Sequence, residues 1–183
     1  MHFVLSTSSV RNTIMTNEQG QAVYMTNTPS KMGSRTTTVS KIRPNEKKSD
    51  MRDEFDSIAE IEWHFFASSI FRMNGKEVRT KDFIPSGGLQ GRRRTFTGPD
   101  GKSYKWVLNF TSVSLELADG SQKNLASFQR AGAFGQKSGA VLEVSPLVAH
   151  MLDLVIITFI YVEKLRRDKE TATRNAAISA AVS

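Results

Sequence analysis

The stretch that decides the fold is LVAHMLDLVIITFIYVEKLRRDKE, residues 147–170. Its first two thirds are almost entirely apolar, and its last third is densely charged. Ser145 and Pro146 stand directly before it and are typical of a helix start, with Ser as the N-cap and Pro in the first helical position. The apolar side chains cover every side of the predicted helix. Such a helix lies either in a membrane or inside a protein.

The membrane alternative fits the sequence less well. A span needs about 20 apolar residues, and the run from Leu147 to Val162 is shorter. The run also contains His150 and Asp153, and a carboxylate at the centre of a span costs about 2.5–3.5 kcal/mol. The sequence therefore favours a helix enclosed by the rest of the chain over a membrane anchor.

The charged end of the stretch predicts a helix that emerges into solvent. Opposite charges recur four residues apart, the spacing at which side chains on a helix meet. We expect these pairs to form a solvated, self-paired surface. The pairs are Glu163–Arg167, Lys164–Asp168 and Arg166–Glu170.

Short alternating segments precede the helix. In IAEIEWHF, residues 58–65, Ala59, Ile61, Trp63 and Phe65 share one face, which is typical of a half-buried antiparallel strand. Turn signals such as GPDG at 98–101 separate the segments. SYKWVL, VSLEL and AVLEV alternate in the same way. Weaker strand patterns cover 3–6, 12–16, 21–26, 35–42, 69–73, 76–79, 92–97 and 122–129.

Together these segments predict a mainly β fold, a single antiparallel β-barrel of about 12 strands. A barrel of that size is wide enough to hold one helix. We expect one domain over residues 1–171, with its central helix at about 146–170. Residues 172–183 lack an apolar stripe, and we expect them to be a frayed tail.

The predicted architecture resembles the tubby C-terminal, phospholipid scramblase and LURP-one group of domains. Three segments also look like a fungal family of domains of unknown function: AEIEWHFFASSIFRMNGKEV, DFIPSGGLQGRRRTFTGPDGKSYKWVL and HMLDLVIITFIYVEKLRRDKE. That family implies no activity and no site residues. Tubby-like domains bind phosphoinositides through basic side chains, but no motif carries those side chains over to individual residues here. The implied lipid binding is an analogy of fold.

The chain is basic, with a net charge of +7 and a pI near 9.8. Residues 91–105 carry five Lys or Arg against one Asp. If the two arms of the GPDG hairpin pair, their basic side chains can converge on a phosphate, which guanidinium groups grip through paired hydrogen bonds. The alternatives are a solvated hairpin or a charge-guarded edge strand. The candidate headgroup site is Arg92, Arg93, Arg94, Lys102 and Lys105.

The chain lacks a recognisable catalytic, metal or cofactor signature. It has no cysteine, which excludes disulfides and thiolate chemistry. His150 and Asp153 have a spacing that could supply two metal ligands, but a site needs a third. A buried polar pair inside the barrel, or a bond from Asp153 to strand backbone, explains them better. Glu60 and Glu62 share a strand face, and we interpret them as outward solubilising residues.

Three functions remain open for a protein that we expect not to be an enzyme. The first is a module that binds anionic phospholipid at a membrane surface. The second is a protein-interaction or regulatory scaffold that uses the 43–56 loop or the tail. Nucleic-acid binding is the third and is the least favoured, since no aromatic stacking platform is evident. Without a basic n-region or long apolar run at the start of the chain, we expect an intracellular, cytoplasmic protein rather than an integral membrane protein.

Overall fold

The computed structural model describes residues 1–30, 35–43, 54–64, 67–130 and 140–182. Within them, thirteen strands form one antiparallel sheet. The strands are β1 (His2–Leu5), β2 (Thr13–Thr16), β3 (Ala22–Asn27), β4 (Thr36–Ile42), β5 (Phe55–Glu62), β6 (Ile70–Met73), β7 (Lys76–Arg79), β8 (Ser86–Gly87), β9 (Arg93–Thr97), β10 (Ser103–Leu108), β11 (Ser112–Leu117), β12 (Asn124–Gln129) and β13 (Ala140–Val144). The mainly β prediction is confirmed.

The sheet is a meander whose first and last long strands meet. Each strand from β1 to β7, and each from β8 to β13, pairs with its neighbours in sequence within that group. In addition, β1 pairs with β13, where Phe3 stands opposite Leu142. The sheet therefore ends at β7 on one side and at β8 on the other. Among the described residues no hydrogen-bond ladder joins these two strands. The predicted barrel is established only as an open row of thirteen strands.

A short helix, α1 (Thr80–Phe83), connects the two edge strands. The Phe83 ring lies 5.7 Å from the Phe71 ring of β6 and 6.2 Å from the Phe96 ring of β9, measured between centroids. Aromatic contacts thus connect β6 and β9, the strands next to the two edges, although no ladder between the edge strands is present in the described residues.

The C-terminal helix has two parts. A 3₁₀ segment, Pro146–Met151, begins at Ser145, whose side chain accepts a hydrogen bond from the Leu147 amide, as predicted for a cap. The α-helix α2 (Leu152–Val182) follows directly. It continues through the segment for which the sequence predicted a frayed tail. Alanine is frequent there and has the highest helix propensity.

Side chains from distant strands surround the buried part of α2. The Phe159 ring lies 6.2 Å from Trp106 of β10 and 4.9 Å from Phe128 of β12. On another side, Tyr161 packs at 5.2 Å against Phe71 and at 6.0 Å against Trp63. The segment Pro146–Ala181 is long and apolar enough to span a membrane, but 61% of its most apolar part is buried in the protein.

Two predicted irregular segments are more ordered than the sequence suggested. The loop predicted at 43–56 gives way to β5 at Phe55, which stands opposite Ile42 of β4. Arg43, directly after β4, forms an ion pair with Asp56. Residues 86–91, whose sequence SGGLQG predicts a flexible connector, contain β8 and a short 3₁₀ turn, Leu89–Gly91. Residues 44–53 of the first loop and the predicted face residue Phe65 lie outside the described residues.

Candidate functional site: a basic pocket beside the C-terminal helix

The basic residues of β9 lie on both faces of the sheet. In the ladder between β9 and β10, Arg94 stands opposite Trp106, and Arg93 stands opposite Val107. Paired residues share a face and successive residues alternate. Arg94 therefore shares the inner face of buried Trp106, whereas Arg93 lies on the outer face and is exposed. Arg92 donates a hydrogen bond from Nη1 to the Leu108 carbonyl oxygen at 3.3 Å.

The two lysines of the predicted site are engaged elsewhere. Lys105, on the outer face, forms an ion pair with Glu116 of β11 at 3.1 Å. Lys102 lies in the turn between β9 and β10, 3.5 Å from a carboxylate oxygen of Asp100. The structure therefore does not gather the five predicted residues around one point. Of the five, Arg92 lines a concave surface beside α2.

That surface is a cavity of about 220 Å³ between the start of β9, the end of β10 and α2. We call it the basic pocket. Four cationic residues line it, and Glu170 is the only carboxylate among its lining residues. The cations are Arg92, Arg166, Lys169 and Arg174. Of these four residues, Arg92 belongs to the site predicted from the sequence, and the three on the helix do not.

The helical side of the pocket follows from helix geometry. Arg166, Glu170, Thr173, Arg174 and Ala177 recur at intervals of three or four residues, so they lie on one face of α2. This face turns toward the β9–β10 end because α2 leaves the sheet there. No local sequence signal links Lys169 to Arg92, since only the tertiary fold brings them together.

The pocket holds an excess of positive charge around Lys169. Its ammonium donates to the carbonyl oxygens of Gln90 and Gly91, the latter at 3.2 Å. Burial, followed by the charges of Arg94 and Arg92, lowers the pKa of Lys169 below its ordinary value. Arg94 Nε is buried and has no hydrogen-bond partner in the described part of the chain. An anion in the pocket would relieve the repulsion that these cations exert on one another.

A buried charge network lies one turn earlier on α2. Glu163 and Arg166 have side chains that are 0% and 2% exposed, and Arg166 Nε donates to Glu163 Oε2 at 2.6 Å. Arg167 donates to the same carboxylate at 2.8 Å. The predicted pairs of this segment are therefore formed, but the prediction that they are solvated is wrong for Glu163 and Arg166. Burying a charge requires a close partner, and these side chains supply one another.

Glu170 connects the buried charge network to the basic pocket. It accepts hydrogen bonds from Arg130, Arg166 and Arg174 at 3.0–3.2 Å. Burial alone would raise the pKa of Glu170, but the hydrogen bond from Arg166 and the charges of Arg130 and Arg174 outweigh burial and lower it. The only pocket carboxylate is thus fully occupied by arginines.

Two large apolar side chains stand exposed near the pocket, and we call them the apolar rim. Phe110 is 71% exposed and lines the pocket, and Leu89 is 86% exposed and directly precedes Gln90. The Arg92 guanidinium lies 4.3 Å from the centroid of the Phe110 ring, within cation–π range. Apolar side chains beside cations are suited to a surface that is both negatively charged and apolar.

Residues 8–168 match the family of unknown function DUF6593. The chain belongs to this family. Comparison with curated proteins and with solved structures gives no match. The match supports the predicted membership of a family of unknown function and assigns no activity.

The predicted polar pair, His150 and Asp153, lies near the start of α2, away from the basic pocket. Asp153 is 43% exposed and accepts hydrogen bonds from Lys41 at 2.8 Å and from the Tyr24 hydroxyl at 2.5 Å. His150 lies 3.7 Å from Asp100. The prediction of a buried His150–Asp153 pair is wrong, because Asp153 bonds Lys41 and Tyr24 whereas His150 lies beside Asp100. The described residues contain no group of three His, Asp or Glu that could hold a metal ion.

The two glutamates that share a face of β5, Glu60 and Glu62, also lie beside a cation. Arg72 donates to Glu62 at 2.5 Å and lies 3.9 Å from Glu60. The hydrogen bond from Arg72 lowers the pKa of Glu62 below its ordinary value. A lowered pKa opposes the role of a general acid near neutral pH.

Proposed function

We propose that this protein is a non-enzymatic module that binds anionic phospholipid headgroups at a membrane surface through the basic pocket. One observation carries the proposal. Besides Arg166, which Glu163 neutralises, three further cations line the pocket against one carboxylate, and burial, followed by the charges of Arg94 and Arg92, lowers the pKa of Lys169. A phosphate group supplies the missing negative charge and accepts several hydrogen bonds at once. The site therefore centres on Arg92, Lys169 and Arg174, with Arg94 behind them.

The apolar rim supports a membrane as the source of the phosphate. A soluble phosphate compound requires only the cations, whereas Leu89 and Phe110 leave large apolar surfaces in water. Entry of these side chains into the acyl boundary of a bilayer would bury that surface. Headgroup binding and shallow insertion would then act together, since stable membrane attachment usually needs two signals.

We propose that the sheet closes into a barrel. The rings around Phe159 and Tyr161 come from both halves of the sheet, and Phe83 contacts rings on β6 and β9, the strands next to the two edges. These contacts support a barrel closed by side chains around α2, which would resemble tubby-like domains. The buried helix then serves as the core of a peripheral protein on an intracellular membrane.

The test is co-sedimentation with phosphatidylcholine vesicles, with and without phosphatidylserine or a phosphoinositide, at low and high salt. The wild type is expected to bind only the anionic vesicles and more weakly at high salt. Replacing Arg92, Lys169 and Arg174 with Gln should weaken binding about a hundredfold, at about 1 kcal/mol for each charge.

The matched control removes three exposed cations elsewhere. Replacing Lys76, Arg79 and Lys81 with Gln gives the same net charge but leaves the pocket intact. This control should bind like the wild type. Equal losses in the two variants would reduce the interaction to nonspecific attraction by net charge, and no binding at low salt would overturn the proposal.

A protein-interaction scaffold is the second candidate, and the end of α2 favours it. Residues 171–181 are exposed, and Ile178 is 57% exposed on this projecting helix. A partner could cover this segment as a helix in a groove. Removal of residues 178–183, which keeps Arg174 and Ala177 of the basic pocket, should then abolish binding to a partner while vesicle binding persists.

A further inference from the structure

A second cavity, of about 890 Å³, opens at the end of α2 opposite to the basic pocket. We call it the mouth cavity. The β5 strand, the turn between β6 and β7, the turn between β9 and β10, and the start of α2 enclose it. Its volume lies within the range of about 300–1,000 Å³ that is usual for small-molecule sites.

The walls of the mouth cavity include apolar side chains that are only partly buried. Ile58, Met73, Phe83 and Leu154 pack against the core, yet each keeps part of its surface exposed and lines the cavity. They come from four different elements, so they form a concave patch rather than a single strand face. Burying such a patch against an aliphatic chain is favourable in proportion to the apolar area covered.

The polar side of the cavity offers a hydrogen-bond donor and an acceptor that balance each other in charge. The third ionisable residue of the lining, His150, lies 3.7 Å from Asp100. Lys41 and Asp153 both line it and neutralise each other as an ion pair at 2.8 Å. Both side chains remain more than 40% exposed. An ammonium group has three donor hydrogens, and contacts to both carboxylate oxygens use two of them.

The head of a matching ligand must therefore be polar and uncharged. A carboxylate would meet Asp153, and an ammonium would meet Lys41, so neither gains net attraction. A hydroxyl group can accept a hydrogen bond from Lys41 and donate one to Asp153. This selection is opposite to that of the basic pocket, where the charge is unbalanced.

We propose that the mouth cavity binds a neutral single-chain amphiphile with a hydroxylated head, such as a monoacylglycerol. The aliphatic chain lies along Ile58, Met73, Phe83 and Leu154, and the head bonds the Lys41–Asp153 pair. This site is separate from the basic pocket, and binding here does not depend on anionic membranes.

Isothermal titration calorimetry with monodecanoylglycerol, below its critical micelle concentration, tests the site. The wild type should show saturable binding, and decanoate should bind at least about tenfold more weakly, because its charge faces Asp153. Met73→Trp should weaken binding at least about tenfold, because the larger indole blocks part of the apolar wall along which the chain lies. Ile14→Trp is the matched control, since Ile14 is 40% exposed on β2 and does not line the cavity. It should bind like the wild type.

A second variant tests the head contact. Replacing Lys41 with Met and Asp153 with Leu removes the ion pair without changing net charge, and it should weaken monodecanoylglycerol binding about tenfold. Circular dichroism and thermal unfolding establish that each variant is folded. Absence of saturable binding by the wild type, equal binding by Met73→Trp, or equal affinity for decanoate would each overturn the proposal. The basic-pocket variant should still bind monodecanoylglycerol, which separates this result from that of the vesicle experiment.

Discussion

Two charged regions of α2 lie only one turn apart and differ in their balance. Around Glu163 and Arg166, which are almost completely buried, each charge has a partner at hydrogen-bond distance. Around Lys169, which is only partly buried, the nearest charges include two arginines, and the hydrogen-bond acceptors are main-chain carbonyls. The same helix thus holds a neutralised pair and an excess of cations.

The difference follows from solvent access. A fully buried ion without a partner costs several kcal/mol, so a buried charge survives only when it is paired. A partly exposed cluster is screened by water and ions, and it can remain unbalanced at a small cost. The balanced region is therefore expected to serve stability, and the unbalanced one is available to an anionic ligand.

The largest effect is expected from Glu163→Gln. This change leaves Arg166 buried without the carboxylate that binds its Nε and Nη2 atoms. Breaking a buried pair by removing one partner costs about 3–5 kcal/mol. The midpoint of urea unfolding should fall accordingly, with an unchanged slope.

Asp168→Asn is the control for this variant. Asp168 is 54% exposed and pairs with Lys164 on the same helix. Loss of an exposed pair should change the free energy of unfolding by about 0.5 kcal/mol or less. A Glu163 variant as stable as this control would contradict the view that the buried pair stabilises the fold.

The fold was largely predictable because it depends on periodic patterns. Alternation identified the strands, as in β10, where Tyr104, Trp106 and Leu108 are all buried as expected. Apolar residues on all sides of residues 147–162 predicted a helix inside the sheet, and Val155–Val162 are buried. The break between β7 and β8 was not predictable, since the pattern of a strand does not tell whether its edge is paired.

The site was only partly predictable because it is assembled from distant segments. Arg92 stood out in a basic run, but Lys169 belongs to a segment whose charges alternate in sign and suggested self-pairing. Arg174 lies in the segment that was predicted to be a frayed tail. The prediction that Lys105 joins the site failed to account for Glu116 on the next strand. Which charges neutralise one another is decided by strand register and helix exit, and neither is encoded locally.

The next largest effect concerns the apolar rim. Phe110→Ser removes the exposed ring beside the basic pocket and leaves the cations in place. If the ring enters the bilayer, its loss should weaken binding to anionic vesicles about tenfold or more, from about 1.5–3 kcal/mol of apolar burial. The stability of the protein should be almost unchanged.

Ile14→Ser tests whether any exposed apolar residue would give this result. Ile14 is 40% exposed on β2. We expect its substitution to leave vesicle affinity unaltered. If Phe110→Ser also binds normally, the site recognises phosphate without insertion, and the apolar rim has no part in membrane binding.

A smaller effect separates the unbalanced cation from a balanced one. Lys169→Gln and Lys105→Gln change the net charge equally, but Lys105 is neutralised by Glu116. Loss of Lys169 should weaken vesicle binding about fivefold, for about 1 kcal/mol per membrane-facing charge. Loss of Lys105 should have little effect. Equal losses in co-sedimentation would show that local balance does not select the binding charges.

The smallest effect is a pH dependence that arises where the two regions meet. The pKa of Glu170 in the folded protein is below its ordinary value of 4.5, because the hydrogen bond from Arg166 and the charges of Arg130 and Arg174 outweigh burial. A lowered folded-state pKa contributes stability that is present above the ordinary value and is lost as the pH falls through the folded pKa. Glu170→Gln should therefore be less stable than the wild type at neutral pH, and the difference should shrink below about pH 4.5. Urea unfolding across this range measures the difference directly, and other carboxylates cancel because both proteins contain them. A difference that stays constant with pH would mean that the arginines hold Glu170 by shape alone, and that its charge does not link the buried charge network to the basic pocket.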